Sequence, residues 1–381
     1  PSLSPGGGEG ARRAGEGPTN SLAAAQGPQT AVQLPHSIGP MAVADVDGDG
    51  DLDVFVGGRV VSGRYPEPPA SRLFMNRAGQ LTPDAANNSV LGAAGMVSGA
   101  VFSDLDGDGW PDLILACEWG SLRVFQNQAG TLRDVTSAWG LDGYTGWWSG
   151  VTTGDFDGDG RMDIVAGNWG LNSSYYQPSA AAPLRLYFGD FDGNSTVDLL
   201  EAWTDDLTQR VVPRRDLLVA GSGLPRLRTR FPTHAAYAKA DPPAIIGEAF
   251  PRVKAAQATT LASMVFLNRG SRFEGVALPP EAQWAPVFGV NVADFDGDGQ
   301  EDIFLSQNFF ALRAEEPRLD AGRGLWLQGD GRGRFRPVPG LESGIRVYGE
   351  QRGSAVGDFD EDGRVDLAIA QNGAATQLYR N

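Results

Sequence analysis

Cysteine is almost missing: Cys117 is the one cysteine in 381 residues. No intrachain disulfide can form, so cysteine usage does not fix a redox compartment. Cys117 ends the apolar run Asp112-Leu-Ile-Leu-Ala-Cys117 and is followed by Glu118. Without basic neighbours to hold a thiolate, it is expected to be a buried small hydrophobe. Histidine is as scarce. The only two, His36 and His234, lie outside the repeats described below, which leaves little room for imidazole chemistry, and His234 is expected at the surface or as a cap. Positive charge is in deficit, with 31 basic against 47 acidic side chains and a net charge of −16. Nucleic acid and anionic membrane surfaces both repel such a chain, so neither is expected as a partner. No stretch approaches the roughly 18 apolar residues of a membrane-spanning helix. The nucleophile elbow G-x-S-x-G, a phosphate-cradling glycine loop and the HExxH zinc motif are missing as well, so no enzyme activity is expected. At 41% hydrophobic the chain still has material for a large core. It opens on Pro1 with no signal-peptide pattern, as expected of a processed product or a fragment.

What is abundant is aspartate in one arrangement. Asp45, Asp47, Asp49 and Asp53 occupy positions 1, 3, 5 and 9 of a glycine-containing stretch. The pattern returns as Asp104, Asp106, Asp108, Asp112; as Asp155, Asp157, Asp159, Asp163; as Asp294, Asp296, Asp298, Asp302; and as Asp358, Asp360, Asp362, Asp366. A sixth copy, Asp190, Asp192, Asn194, Asp198, exchanges one carboxylate for an amide and puts Ser195 where glycine is usual. Alternating acidic side chains on a tight turn converge their oxygens, a backbone carbonyl at position 7 can add another, and the last Asp can close the shell. An all-oxygen, flexible, carboxylate-rich cage suits Ca²⁺, whereas Mg²⁺ prefers a smaller octahedron with more water and Zn²⁺ prefers His or Cys. Charge points the same way. The 23 carboxylates in these loops repel one another within each cluster, and six Ca²⁺ would bring the net −16 to −4. The expected cofactor is therefore Ca²⁺, about six ions. Because the carboxylates recur in six equivalent copies, they read as a scaffold rather than as the single acid–base pair of a glycosidase.

Short β-type runs flank every loop, such as Met41-Ala-Val-Ala before and Leu52-Asp-Val-Phe-Val after the first, so each loop joins strand to strand. An outer hairpin follows, as in Leu73-Phe-Met-Asn76, Val124-Phe-Gln-Asn127 and Val265-Phe-Leu-Asn268. The loops start at 45, 104, 155, 190, 294 and 358, spacings of 59, 51, 35, 104 and 64 residues. Such periods predict an all-β fold, a β-propeller of about seven four-stranded blades with six as the alternative, over residues 29–381. The long interval reads as one blade with an insertion or as two blades, one without a metal loop. Gln29–Pro35 is expected as a strand that completes the last blade and closes the ring. Residues 1–28 carry no periodicity and read as a flexible leader, and residues 205–260, rich in Arg and Ala, as a small helical insertion of two or three short helices.

These loops and strands resemble the FG-GAP or VCBS repeats of integrin α-chain propellers and of many bacterial secreted proteins. More closely, Phe55-Val-Gly-Gly-Arg59 to Arg64-Tyr-Pro66, Thr145-Gly-Trp-Trp148, Gly167-Asn-Trp-Gly-Leu-Asn172 and Arg230-Phe-Pro-Thr-His-Ala-Ala-Tyr237 look like the bacterial relatives of cartilage acidic protein. In that family an ASPIC/UnbV module commonly follows a sequence like Thr376–Asn381, and this sequence stops at that seam. The resemblance implies a secreted, cell-surface or periplasmic, Ca²⁺-binding, non-catalytic protein-interaction, assembly or adhesion module. Its expected partner is a protein or a glycan at the cell surface, and self-assembly is a further option. Millimolar extracellular Ca²⁺ fills loops of modest affinity, which fits that placement. The alternative is a carbohydrate-binding lectin or a polysaccharide-lyase-like propeller, because Trp119, Trp139, Trp147, Trp148 and Trp169 concentrate in the second and third units and sugars stack on indole faces. Exposure of Trp147 and Trp148 would favour it, and burial between sheets would remove its support. Sequons at Asn87, Asn172 and Asn194 would permit N-glycans.

Overall fold

The computed structural model describes residues 36–381 apart from residues 176, 314 and 315. The expected leader and the strand expected at Gln29–Pro35 lie outside the described residues. Each Asp loop turns one strand back on the next, as predicted. The first sheet comprises Ser37–Ala44, Asp53–Val60, Arg72–Arg77 and Gln80–Pro83, hydrogen-bonded in that order. The second runs Met96–Ser103, Asp112–Gly120, Arg123–Gln128 and Thr131–Asp134, with the short strand Gly146–Trp147 paired to Asp112–Gly120. In the third, Gly150–Gly154 and Asp163–Gly167 are joined by Met264–Asn268 and Phe273–Ala277. The fourth has the order Val211–Pro213, Asp198–Thr204, Leu184–Gly189, Lys254–Ala258. The fifth is Val287–Ala293, Asp302–Gln307, Leu325–Gly329 and Phe335–Val338, and the sixth Glu350–Gly357, Asp366–Asn372 and Ala374–Tyr379. All pairings are antiparallel.

Burial follows from the period of two along a strand. In Asp112–Gly120, Leu113, Leu115 and Cys117 enter a core shared with the first sheet, while Ile114 and Ala116 enter one shared with the third. Met264 and Phe266 face the second sheet, and Val265 and Leu267 face the fifth. Ile303 and Leu305 face the third sheet, and Phe304 faces the sixth. A strand buried on both faces must be apolar throughout rather than alternating, which is why these runs carry no polar residue between their hydrophobic ones. Four cores thus join five sheets in the row first, second, third, fifth, sixth, and their leading strands pack successively.

No closed ring is detected among the described residues, whose row has two ends: the leading strand of the sixth sheet makes no extensive packing back onto Ser37–Ala44. On the end strands one face stays open, leaving Ile38, Met41 and Val43 of the first sheet and Leu378 of the sixth exposed. The long interval holds the rest of one four-stranded sheet with helices inserted between its strands and, after it, two strands that belong to the third sheet. The fourth sheet, with its helices, is inserted between the second and third strands of the third sheet, so that Met264 pairs with Ala166 only after the chain has built and left another sheet. Four short helices, Leu217–Gly223, Arg226–Arg230, His234–Ala238 and Pro242–Ile246, and the 3-10 turn Gly247–Arg252 fall within the segment expected to be helical. Asp216, Thr233 and Asp241 cap three of them with side-chain oxygens. Leu217, Leu227, Tyr237 and Ile245 from these helices form one core with Phe191 and Leu200 of the fourth sheet.

Candidate metal loops

Position 1 frames each loop. Asp45 Oδ1 accepts the N–H groups of Gly48 at 2.8 Å and Asp49 at 3.1 Å, and its Oδ2 accepts that of Gly50 at 2.9 Å. Asp104 and Asp294 make the same three contacts, while Asp155 and Asp358 make the last two. The sixth copy is no different: Asp190 takes Gly193, Asn194 and Ser195 at 2.7, 3.1 and 2.8 Å. The turn needs left-handed backbone at positions 4 and 6, met by Gly48 (φ +74°) and Gly50 (φ +91°) in the first loop. Ser195 (φ +65°) and Glu361 (φ +60°) adopt it despite their Cβ atoms, at a cost of roughly 1 kcal/mol or more each.

Position 9 is an anchor. Asp53 Oδ2 accepts Val46 N–H at 2.9 Å across the loop, and its Oδ1 accepts Asn76 N–H from the third strand at 2.8 Å. The double contact recurs for Asp112 with Leu105 and Asn127, and for Asp163 with Phe156 and Asn268. Asp302 makes it with Phe295 and Gly329, and Asp366 with Phe359 and Asn381. All five carboxylates are buried. Burial, reinforced by the neighbouring carboxylates, pushes Asp112 and Asp163 up to about 7 and Asp302 up to about 6, and raises Asp53 and Asp198. A divalent cation removes the cause by compensating the like charges.

Position 3 completes the cluster, and in the second loop Asp108 at position 5 stands in the triad in place of Asp112. One oxygen each from Asp45, Asp47 and Asp53 lies within 4.8 Å of the others, as in Asp104–Asp106–Asp108, Asp155–Asp157–Asp163, Asp190–Asp192–Asp198 and Asp294–Asp296–Asp302. Asp49, Asp159 and Asp298 stand outside these triads, each accepting the N–H group two residues ahead. Outer oxygens meet cations or amides: Arg77 spans Asp47 and Asp49, Arg269 Nη1 lies 2.5 Å from Asp157, and Arg364 lies 2.6 Å from Asp362. The inner oxygens Asp47 Oδ1 and Asp157 Oδ1 are buried and accept nothing. A buried acceptor without a donor is costly and asks for a partner. The donor set is hard oxygen throughout, so these residues fit Ca²⁺.

Sequence reasoning missed the asparagines at the ends of the third strands. Asn127 Nδ2 donates to Val46 O in the loop of the preceding sheet at 2.9 Å, and Asn268 Nδ2 donates to Leu105 O, again one sheet back, at 2.8 Å. Asn381 Nδ2 does the same to Phe295 O at 2.6 Å. Each latches its own anchor Asp through its N–H and the neighbouring loop through its side chain. The signal was the recurrence of Asn at one place in the outer hairpins, as Asn76, Asn127 and Asn268.

Other expected residues fall into place. Cys117 is buried, its thiol pushed up to about 12 by burial, and its Sγ lies 3.3 Å from Ala94 O. His234 is exposed at the start of its helix. Asn87 is buried in the helix Ala85–Leu91, its amide donating to Asp84 and Gly130, so that sequon is closed to a glycan. Of the tryptophans, Trp148 is buried in the core between the second and third sheets and Trp139 packs against that core, whereas Trp119, Trp147 and Trp169 line a cavity.

The FG-GAP-like repeat family model matches residues 45–115 and 104–166, which span the first three Asp loops. No curated protein matches the chain. Among solved structures the chain is similar to the V. cholerae biofilm matrix protein Bap1, at 12% identity and a TM-score of 0.31, over 88% of this chain and 66% of that one. It is also similar to the Bacillus licheniformis rhamnogalacturonan lyase PL11, at 12% identity and a TM-score of 0.34, over 90% of this chain and 56% of that one. The chain thus spans less than two thirds of either.

Proposed function

We propose that this protein is a Ca²⁺-loaded FG-GAP-type scaffold that acts, without catalysis of its own, as a binding or assembly module in Ca²⁺-rich surroundings outside the cytoplasm. The observation that carries this reading is the repetition of one hydrogen-bonded aspartate frame in all six loops, the amide-bearing sixth included. Equivalent copies suit a structural ion, and the cluster repulsion makes filled loops a condition of full stability. Extracellular Ca²⁺ at millimolar level saturates sites of modest affinity, and the cytosolic level does not. The kinship with the bacterial relatives of cartilage acidic protein belongs to the same reading and rests on the segments around Arg59, Trp147, Trp169 and Phe231. The partner on this view is a protein or a glycan; no helix of the described residues is long and apolar enough to cross a membrane.

The test is metal content by mass spectrometry on protein purified without chelator, together with thermal melts with and without EDTA. The expected result is about six Ca²⁺ per chain and a Tm that falls by many degrees in EDTA and returns with Ca²⁺. Protein without Ca²⁺ whose Tm ignores EDTA would overturn the proposal.

A further inference from the structure

A cavity of about 660 Å³ opens where the second, third and fourth sheets meet residues 311–313, 316, 317 and 319. That volume falls within the roughly 300–1,000 Å³ of small-ligand sites. One side is aromatic. Trp147 stands at the centre, edge-to-face with Trp119 at 5.0 Å, with Trp169 at 5.2 Å and with Tyr175 at 4.6 Å between ring centroids. The sequence segments that bring these rings together lie outside the Asp loops, and the metal scaffold makes no use of them.

The other side is polar and internally balanced. Glu118 accepts the Tyr65 hydroxyl at 2.6 Å and pairs with Arg59, and Tyr65 in turn accepts Trp119 Nε1 at 2.7 Å. Opposite, Arg215 bridges Glu201 at 2.7 Å and Glu316, while Arg214, almost fully buried, lies between the same two carboxylates at 3.5 and 3.6 Å. Each of these three carboxylates is matched by a guanidinium, and the two further charges on the lining, Asp198 and Arg313, are of opposite sign, so the lining holds no surplus. Three donors are not matched: the indole N–H groups of Trp147 and Trp169 and the Nε–H of Arg214 are buried and have no partner.

Three ligand chemistries can be weighed against this arrangement. A quaternary ammonium would use the aromatic walls but needs surplus negative charge, and it offers no acceptor for the two indole N–H groups. An anion offers acceptors but finds no surplus positive charge. A neutral sugar answers both requirements: its hydroxyl oxygens accept from indole N–H groups, its C–H face packs on aromatic rings, and fixed, mutually neutralised Arg and Glu side chains exchange hydrogen bonds with vicinal hydroxyls. We propose that this cavity is a binding site for a neutral saccharide, read by Trp147, Trp169, Tyr175 and the Arg215–Glu201–Glu316 cluster. The proposal gives the binding-module reading a ligand class, and it rests on that reading only in taking the chain to be non-catalytic.

The experiment uses the Ca²⁺-loaded chain on an immobilised array of neutral oligosaccharides ending in hexose, 6-deoxyhexose or N-acetylhexosamine. The best binder is then titrated in solution by tryptophan fluorescence and calorimetry, with tetramethylammonium and inorganic phosphate as competing probes. Ser173 sits on the cavity wall, so Ser173→Trp fills the space without removing a ring, and Trp169→Phe deletes one unpartnered N–H while keeping an aromatic face. The expected outcome is binding of a neutral glycan that quenches tryptophan fluorescence and weakens about tenfold or more in each variant, with Tm unchanged and neither probe competing. If Ser173→Trp does not fold, Leu312→Trp on the facing segment replaces it. The proposal is overturned if no neutral glycan binds at millimolar concentration, if tetramethylammonium or phosphate occupies the site instead, or if glycan binding survives both variants in folded protein. Failure here with an intact EDTA-sensitive melt leaves the scaffold reading standing; loss of the EDTA effect with glycan binding retained does the reverse.

Discussion

Asn127 and Asn268 show how much one side chain can join. Each amide nitrogen donates to two carbonyls, one of them in the loop of the preceding sheet, and each side-chain oxygen accepts a turn N–H at 2.9 Å. Both residues are buried, so truncation strands carbonyls that water cannot reach. Asn268→Ala is therefore expected to destabilise the Ca²⁺-loaded protein by about 2–4 kcal/mol, from three lost bonds and their unsatisfied partners. Asn76 holds the matching place in the first sheet but donates only to Leu52 O in its own loop, at an exposed site. Asn76→Ala should cost less than half as much. Denaturant melts of the two variants check this, and equal losses would mean that the inter-sheet contact contributes nothing. These asparagines stood in plain view in the sequence, yet their role depends on a carbonyl about 80 or more residues away, as in the 81-residue separation of Asn127 from Val46. Residue type alone does not carry that information.

At the scale of the element, the Asp loop was legible because everything that shapes it is local. Glycines at φ-positive positions, an Asp that accepts three following N–H groups, and apolar strands on both sides all lie within about a dozen residues. The order of sheets was not legible for the opposite reason. Nothing near Met264 says that it returns to pair with Ala166, so the inserted fourth sheet could not be told from a further unit of the repeat. The loops themselves rank by ligand charge. Asp157 belongs to the carboxylate triad of its loop and carries an unpartnered buried oxygen, whereas Asn194 offers a neutral amide whose Oδ1 already accepts Thr196 N–H at 2.8 Å. Asp157→Ala should lower the Ca²⁺ count by one and remove about 2.7 kcal/mol when Ca²⁺ stands at a hundred times Kd. Asn194→Ala should keep its ion and lose a fraction of that. Metal counting with parallel melts decides, and equal effects would sink the ranking.

For the whole molecule, the buried anchors make stability depend on pH in a way that metal reverses. In metal-free protein burial and like charge raise Asp112 and Asp163 to about 7 and Asp302 to about 6, against 3.8 in the unfolded chain. An acid whose folded value lies above its unfolded value binds a proton on folding, so its contribution is present in full at low pH and is lost as pH rises through the folded value. Between about pH 5 and pH 8 the metal-free Tm should therefore fall as pH rises. The carboxyls held low in the fold, such as Asp190 beneath its loop N–H groups and Asp362 beside Arg364, act in the opposite sense but below that window. With Ca²⁺ bound the sign inverts, because the ion requires the ionised carboxylates and protons compete with it, so the loaded Tm should fall as pH drops from 7 to 5. Melts across pH 5–8 in EDTA and in millimolar Ca²⁺ should give slopes of opposite sign that cross nowhere in the range, with the loaded protein above throughout. Parallel slopes would mean that the anchors do not feel the ion, and the six loops would then be held by their hydrogen bonds and arginines alone.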